Sequence, residues 1–442
     1  MHQAEVRSVH RGQEADPGAG RRHGQPEQRL PCFARPGAAP RPLDGPSQLG
    51  QRHLWSHPTS PVSPRFAPEC LGTEASLLHD ARVKLLLVRL SALGDAVHTL
   101  PALERLRAAL PDARLVWALE PPAADLLWGH PAVDRVLRLD RPGLRRASTR
   151  GRALRSFLGG LRALRAERFD AALDLQALLR SALVARASGA RRVLGPRWAR
   201  EGARYLYSSR LDAPRPSEAH AVARADALVR AGLQALGRPC PGGPLPAPRL
   251  PRELLAEGDA CASDAAEHRR PRVILLPGAG KPSNRPPPTL LAAVAARLAA
   301  ELGGARFEVL GGPGDLRRAQ AVAAHAPVPV AVRCGQDIRT SARLLARADL
   351  VIGGDTGPLH LARALGRPLV GLYPAASPLR TGPVGLPGDA PVAVLAGETS
   401  CAPCCARVCR RPDRVRRCLS SLEPERVAET ALGVLDAARV TS

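Results

Sequence analysis

The run VKLLLVRL, residues 83–90, is apolar at nearly every position, the pattern of a parallel strand buried on both faces. It is followed by SALGDAVHTLPALERLRAAL, in which Val97, Leu100, Leu103, Leu106 and Leu110 recur at helical spacing. The pairing then repeats. ARLVWAL reads as a strand, PPAADLLWG as a short helix and VDRVLRLD as an edge strand. A basic helical region near 150–166 leads into the strand FDAALDLQ, the helix ALLRSALVARAS and the strand RRVLG, and a helix over 218–236 closes the half. Strands alternating with helices predict a parallel, doubly wound sheet.

The breaker-rich segment GRPCPGGPLPAPRLP, residues 237–251, interrupts this rhythm. The plan then recurs: strand RVILLPG, a helix near 288–302, strand ARFEVLGG, helix DLRRAQAVAAHA, strand VPVAVRC, helix TSARLLARA, strand DLVIGG and strand PLVGLY. The fold class predicted is α/β, with two Rossmann-like domains facing across a cleft. The first is expected over 83–245 and the second over 271–442, with a linker over 246–270. Ligands of such sheets bind outside the carboxyl ends of the strands.

Residues 1–82 lack this patterning. They are dense in Pro, Gly, Arg, Gln and His, a composition that buries too little apolar surface to offset chain entropy. They also lack the apolar run and cleavage site of a signal peptide. A disordered extension is expected. A second reading is that the extension is not native, because Met1 is the only methionine and regular patterning starts abruptly at Val83.

The chain has 442 residues, enough for two full cores, and a net charge of +24. Nearly all the positive charge is Arg. That field favours anionic partners, but the Arg is spread along the chain and aromatic residues make up only 3%. No nucleic-acid partner is therefore expected. No run approaches the roughly 18 apolar residues of a membrane span.

The chemistry gathers at predicted strand ends. In GGDTGPLH a strand ends at Gly353–Gly354, Thr356 falls near the N-cap of a helix, and Pro358 fits its first turn. Exposed amides around Gly357 beside the positive helix end form an anion site, with His360 one turn in. LLPGAGKPSNRPP carries Lys281, Asn284 and Arg285, and LGGPGD ends in Asp315, suited to accept from sugar hydroxyls. In the first half, Gly94 permits close approach, and Asp95 at a helix N-terminus is either an N-terminal charge or a general base facing the diphosphate site.

Taken together, LLLVRLSALGDAVHTLPALERLR, LDLQALLRSAL, PGAGKPSNR, LGGPGD and DLVIGGDTGPLHLARALGRPLVGLY resemble glycosyltransferase family 9, the heptosyltransferases of lipopolysaccharide inner-core synthesis, over about residues 83–438. The resemblance implies a GT-B fold with an N-terminal acceptor domain and a C-terminal domain for a nucleotide sugar, usually an ADP-heptose. It implies an inverting reaction with no metal or other cofactor, on a glycolipid acceptor, in the cytoplasm beside the anionic inner membrane face. By motif, Asp95 resembles the general base. Asp355, Thr356, Gly357 and His360 resemble the donor-binding set, Asp315 an acidic position near the donor's sugar hydroxyls, and Gln336 a residue near the purine. Arg89, Gly94 and Arg180 are expected at the acceptor. Where the family commonly has Lys, this chain has Asn284, so positive charge at the diphosphate falls to Arg285 or Lys281.

Five of the ten cysteines crowd into CAPCCARVCRRPDRVRRC. Cys401, Cys404, Cys409 and Cys418 loosely fit a structural zinc site, but the second pair is not C-x-x-C. Reduced structural thiols or a redox pair are the other readings. Two other function classes compete: a nucleotide-sugar epimerase on the same fold, and a non-catalytic basic protein binding nucleic acid or membrane. The epimerase needs a second acid/base partner for Asp95, which the sequence does not display.

Overall fold

The computed structural model describes residues 82–140, 150–256, 270–384, 390–413 and 415–441. Apart from Arg82, the expected extension over 1–82 lies outside these residues, as does much of the expected linker.

The first sheet contains β1 (Lys84–Val88), β2 (Arg114–Leu119), β3 (Arg135–Arg138), β4 (Ala171–Asp174), β5 (Arg192–Pro196) and β6 (Ser209–Leu211). Its strands are parallel, in the order β3-β2-β1-β4-β5-β6. The crossover elements are α1 (Leu93–Ala109), α2 (Ala123–Leu126), α3 (Arg150–Glu167) and α4 (Leu179–Ala187), and α5 (Ala221–Ala235) follows the sheet. Leu85, Leu86 and Leu87 of β1 are at most 1% exposed, because helices cover both faces of this central strand. Each such leucine contributes roughly 1.5–3 kcal/mol of burial energy.

After the short α6 (Arg252–Ala256), the second sheet repeats the design with β7 (Arg272–Leu276), β8 (Arg306–Gly311), β9 (Val330–Cys334), β10 (Leu350–Gly354), β11 (Leu369–Tyr373) and β12 (Val392–Ala396). It is also parallel, in the order β12-β11-β10-β7-β8-β9. Its helices include α7 (Pro288–Glu301), α8 (Leu316–His325), α9 (Ile338–Ala346), α10 (Gly357–Ala364) and the terminal α12 (Pro424–Thr441), with the single turn α11 (Pro378–Thr381) between α10 and α12. The strands β6 and β12 were not anticipated from the sequence. The first has only three residues, and the second sits beyond a Gly- and Pro-rich stretch that hides its period.

Both sheets have the Rossmann order, and strand order reverses between β1 and β4 and between β7 and β10. At these switch points two neighbouring loops diverge and leave a crevice. The two crevices face each other, the GT-B arrangement. Helix α1 packs on α10, and α2 and α6 on α9, across the cleft.

Candidate active site

Asp95 is the third residue of α1, and its carboxylate accepts the Ala92 amide at 3.2 Å, so it closes the first turn of that helix. Its other oxygen meets Arg89 at the end of β1, 2.8 Å away. Burial in the cleft raises the Asp95 carboxyl, but the Arg89 charge, the Ala92 amide and Arg224 outweigh that and hold it below its ordinary value. The side chain nonetheless keeps 40% of its surface open. An ionised, reachable carboxylate is what proton abstraction requires.

The carboxylate stands among guanidiniums. Arg224 of α5 is driven down to about 10 by burial first, then by Arg89, Arg380 and Arg200, with Asp95 opposing. Arg180 of α4 donates to Ser91 at 3.1 Å, and the buried Nε atoms of Arg89 and Arg180 have no acceptor among the described residues. Positive charge in excess of one aspartate suits an acidic ligand.

The loop under Arg89 is built by Asp174, a fully buried carboxylate at the end of β4. It accepts from Ser181 (2.8 Å), Tyr207 (2.8 Å) and the amides of Gln176 and Ala177. Gln176 in turn accepts the Leu90 amide at 2.8 Å, and Arg89 donates to the Leu175 carbonyl. Desolvation raises the Asp174 carboxyl despite these donors.

On the opposite lobe, β10 ends in Gly353 and Gly354 because the end of β7 and the loop after it lie against it. A Cβ on Gly353 would stand 2.4 Å from Leu276, and one on Gly354 2.7 Å from the Asn284 carbonyl. Thr356 is the N-cap of α10 with extended backbone, yet its hydroxyl caps no amide, which leaves it available beside the positive end of the helix. Asp355 accepts from His360 Nε2 at 3.1 Å and from Thr381 at 3.5 Å. The Gly280 amide donates to the Asp355 carbonyl at 3.0 Å, tying the loop after β7 to the start of α10. Asp315, after β8, packs on Gly278, where a Cβ would lie 2.8 Å from its carboxylate.

The lobes meet at three histidines. His98 of α1 bonds His360 of α10, Nε2 to Nδ1, at 3.2 Å. The His98 and His220 rings pack edge to face at 5.6 Å, and His220 reaches the Gly382 carbonyl at 2.9 Å. Burial lowers both His98 and His220, the latter to about 4. Behind them is an interlobe cavity of about 120 Å³ lined by Val97, Pro101, Val222 and Pro248 among others.

Of the anticipated residues, Asp95, Arg89 and Arg180 come together in the first lobe, and Asp355, Thr356, Gly357 and His360 in the second. Gly94 joins the two sets: a Cβ there would fall 2.8 Å from the His360 ring, and one on Gly357 2.9 Å from Leu93. Gly94 thus serves lobe contact. Lys281 turns away, with its ammonium on the Cys405 carbonyl at 2.7 Å. Arg285 keeps a buried Nε without an acceptor among the described residues, as does the Gln336 carbonyl oxygen without a donor. Gln336 follows the edge strand β9, two strands from β7.

Cys401, Cys404, Cys409 and Cys418 are thiols lying near one another, and burial first, then Cys404, Cys401 and Cys409, raise Cys418. Among the described residues, no three His, Cys, Asp or Glu side chains are grouped so as to hold one metal ion. Sequence reasoning missed Arg224, Arg380, His98, His220 and Asp174. His98 was detectable, because it lies three residues after Asp95 and so on the same face of α1.

Residues 160–413 match the family described as glycosyltransferase family 9 (heptosyltransferase). Lipopolysaccharide heptosyltransferase 1 of Pseudomonas aeruginosa is 30% identical over 364 residues, 78% of this chain and 96% of that protein. The protein of the same name from Escherichia coli K12 is 29% identical over 299 residues, 67% of this chain and 89% of that one. Among solved structures, E. coli heptosyltransferase WaaC with ADP superposes with a TM-score of 0.62 at 24% identity, covering 80% of this chain and 100% of that chain. E. coli ADP-heptose lps heptosyltransferase II gives 0.60 at 22% identity, covering 80% and 98%.

Proposed function

The chain belongs to glycosyltransferase family 9, and on that premise we propose that it moves a heptose from ADP-heptose to an anionic inner-core lipopolysaccharide acceptor, with inversion and without a metal. One observation carries the reading. Asp95, held ionised by Arg89, sits one residue from Gly94, which touches His360 of the donor set. A base from one lobe thereby faces an anion-binding helix end from the other.

In this reading Asp95 takes the proton of the acceptor hydroxyl as the oxygen attacks the anomeric carbon from the face opposite the diphosphate. The carbon–oxygen bond to ADP breaks as the new one forms, which inverts the centre. Charge growing on the departing diphosphate is met by the Thr356 hydroxyl, the Gly357 amide and the dipole of α10. Arg285 adds the positive charge that Lys281, engaged with Cys405, does not. Asp355, oriented by His360 and Thr381, accepts from the donor sugar. Asp315 does the same from the loop after β8, and Gln336 lies toward the purine. Arg89, Arg180 and Arg224 hold the acidic acceptor.

The test is transfer itself. Purified protein incubated with ADP-heptose and heptose-deficient inner-core lipopolysaccharide should yield the heptosylated product by mass spectrometry. Failure with ADP-heptose alongside turnover of a GDP- or UDP-sugar would overturn the donor assignment.

A further inference from the structure

The first lobe carries a surface that neither its core nor its site explains. On α3, Leu154, Leu158, Arg162 and Arg165 fall at helical spacing along one stripe, and the two leucines are 46% and 42% exposed. Arg155 flanks them. Among the described residues, none of these three arginines has a carboxylate partner. The core side of the same helix is filled by Ala153 and Leu164, with Phe157 and Leu161 packed partly beneath. The outward leucines are therefore surplus to the fold.

The stripe continues onto the neighbouring elements. Helix α4 lies against α3, and the turn Ala203–Leu206 lies against α4. Leu179, Leu183 and Arg186 of α4 share one exposed face at spacings of four and three. In the turn, Tyr205 is 67% exposed, with the Arg204 guanidinium 4.8 Å from its ring centroid and Arg210 at 5.9 Å.

Topology places one end of this strip, with Leu154, Leu158 and Leu179, beside the cleft. In a parallel sheet every crossover leaves at the carboxyl ends of strands, so the amino-terminal halves of α3 and α4 stand at that edge, the edge that carries Asp95. Arg180, one residue after Leu179, already reaches Ser91 in the site.

We infer that the α3–α4 face, with the Tyr205 turn, is the surface by which this protein docks on an anionic lipid bilayer and meets a lipid-linked acceptor. The inference rests on the glycolipid reading of the acceptor. Exposed leucines and a tyrosine insert at the headgroup boundary, while unpaired arginines bind lipid phosphates. No described helix is long and apolar enough to cross a membrane. Nucleic acid is disfavoured because the strip offers leucines where bases would need stacking rings.

Sedimentation with vesicles tests it. Wild-type protein should partition onto phosphatidylglycerol–phosphatidylcholine vesicles and not onto pure phosphatidylcholine. The variants Leu154→Glu/Leu158→Glu and Arg155→Ser/Arg162→Ser should each lose about tenfold or more in partitioning. Val440→Glu, on an exposed position of the terminal helix, should lose nothing. Thermal stabilisation by ADP, measured on every variant, reports folding and the donor site independently, so failure of the transferase reading appears there and not in the vesicle assay. Unchanged vesicle binding in both double variants, equal binding to neutral vesicles, or tighter binding of a DNA duplex through the same residues would overturn the inference.

Discussion

His98 and His360 share one hydrogen bond across the cleft, Nε2 to Nδ1 at 3.2 Å, with ring centroids 4.3 Å apart. The chemistry of their neighbours sets its direction. A carboxylate only accepts, so His360 Nε2 must donate to Asp355. With that proton on Nε2, the Nε2–H tautomer of His360 carries a lone pair at Nδ1, and His98 Nε2 is the donor to it. His98 is kept neutral by burial, then by His360, His220, Arg89 and Arg224, and its other nitrogen has no partner among the described residues. The first lobe thereby favours the tautomer that orients Asp355, the proposed ligand of the donor sugar, in the second.

His98→Leu should therefore raise the KM for the nucleotide sugar about tenfold, the scale of one lost orienting hydrogen bond. His98→Gln, whose amide nitrogen can donate from nearly the same place, should recover most of it. Steady-state kinetics in both variants decides the matter, and equal loss in the two would reduce His98 to a packing residue.

Asp95→Asn keeps size and capping geometry but removes the proposed base. Its kcat should fall by about 10²–10⁴, while ADP still raises Tm. Because Arg89, the Ala92 amide and Arg224 hold Asp95 below its ordinary value despite burial, the wild-type acid limb of kcat/KM should lie below the ordinary aspartate range. A persistent rate in the Asn variant would require another base.

The helix end proposed to bind the donor was legible from spacing because helix N-termini announce themselves. A Thr at the N-cap, a Gly where backbone must be approached and a Pro in the first turn form a local code. Half of the cation cluster was not legible. Arg224 and Arg380 are far apart in sequence, and each falls within an amphipathic or loop segment where an Arg ordinarily faces solvent. Packing of α5 on α1 brings Arg224 to Asp95 within the first lobe, and Arg380 reaches Arg224 only across the cleft. Lys281 shows the converse: its position in a strand-end loop pointed to phosphate, but the Cys-rich segment offers it a carbonyl first.

Acid should destabilise the protein earlier than carboxylate titration would. The folded value of His220 is about 4, against 6.5 when free, so between those limits the unfolded chain binds a proton that the native state refuses. The stabilisation is whole above about 6.5 and lost as pH falls toward 4, on the order of 3 kcal/mol for this group. His98 and His130 are shifted the same way, chiefly by burial. Thermal melts from pH 7 to 4.5 should show Tm falling throughout. His220→Gln should flatten the curve by about one proton, and parallel curves would refute the assignment.

Arg105 looks like a solvent-facing residue of α1 in sequence, yet it is 2% exposed. Its guanidinium donates to Asp226 on α5 at 2.6 Å and to the carbonyls of Pro241, Gly242, Gly243 and Pro244 at 2.7–3.3 Å. A segment rich in Pro and Gly forms no helix or ladder, so its carbonyls need an outside donor. One planar five-donor fork supplies four of them while neutralising a buried carboxylate. Arg105→Ala should therefore cost about 3–5 kcal/mol, the scale of breaking a buried pair from one side. Arg105→Lys should recover only part, since an ammonium holds the charge but not the fork. Denaturant melts give the stabilities, and limited proteolysis should cut first within residues 238–245 of either variant. Wild-type stability in Arg105→Lys would mean that charge alone, without the fork, holds the segment between α5 and α6 in place.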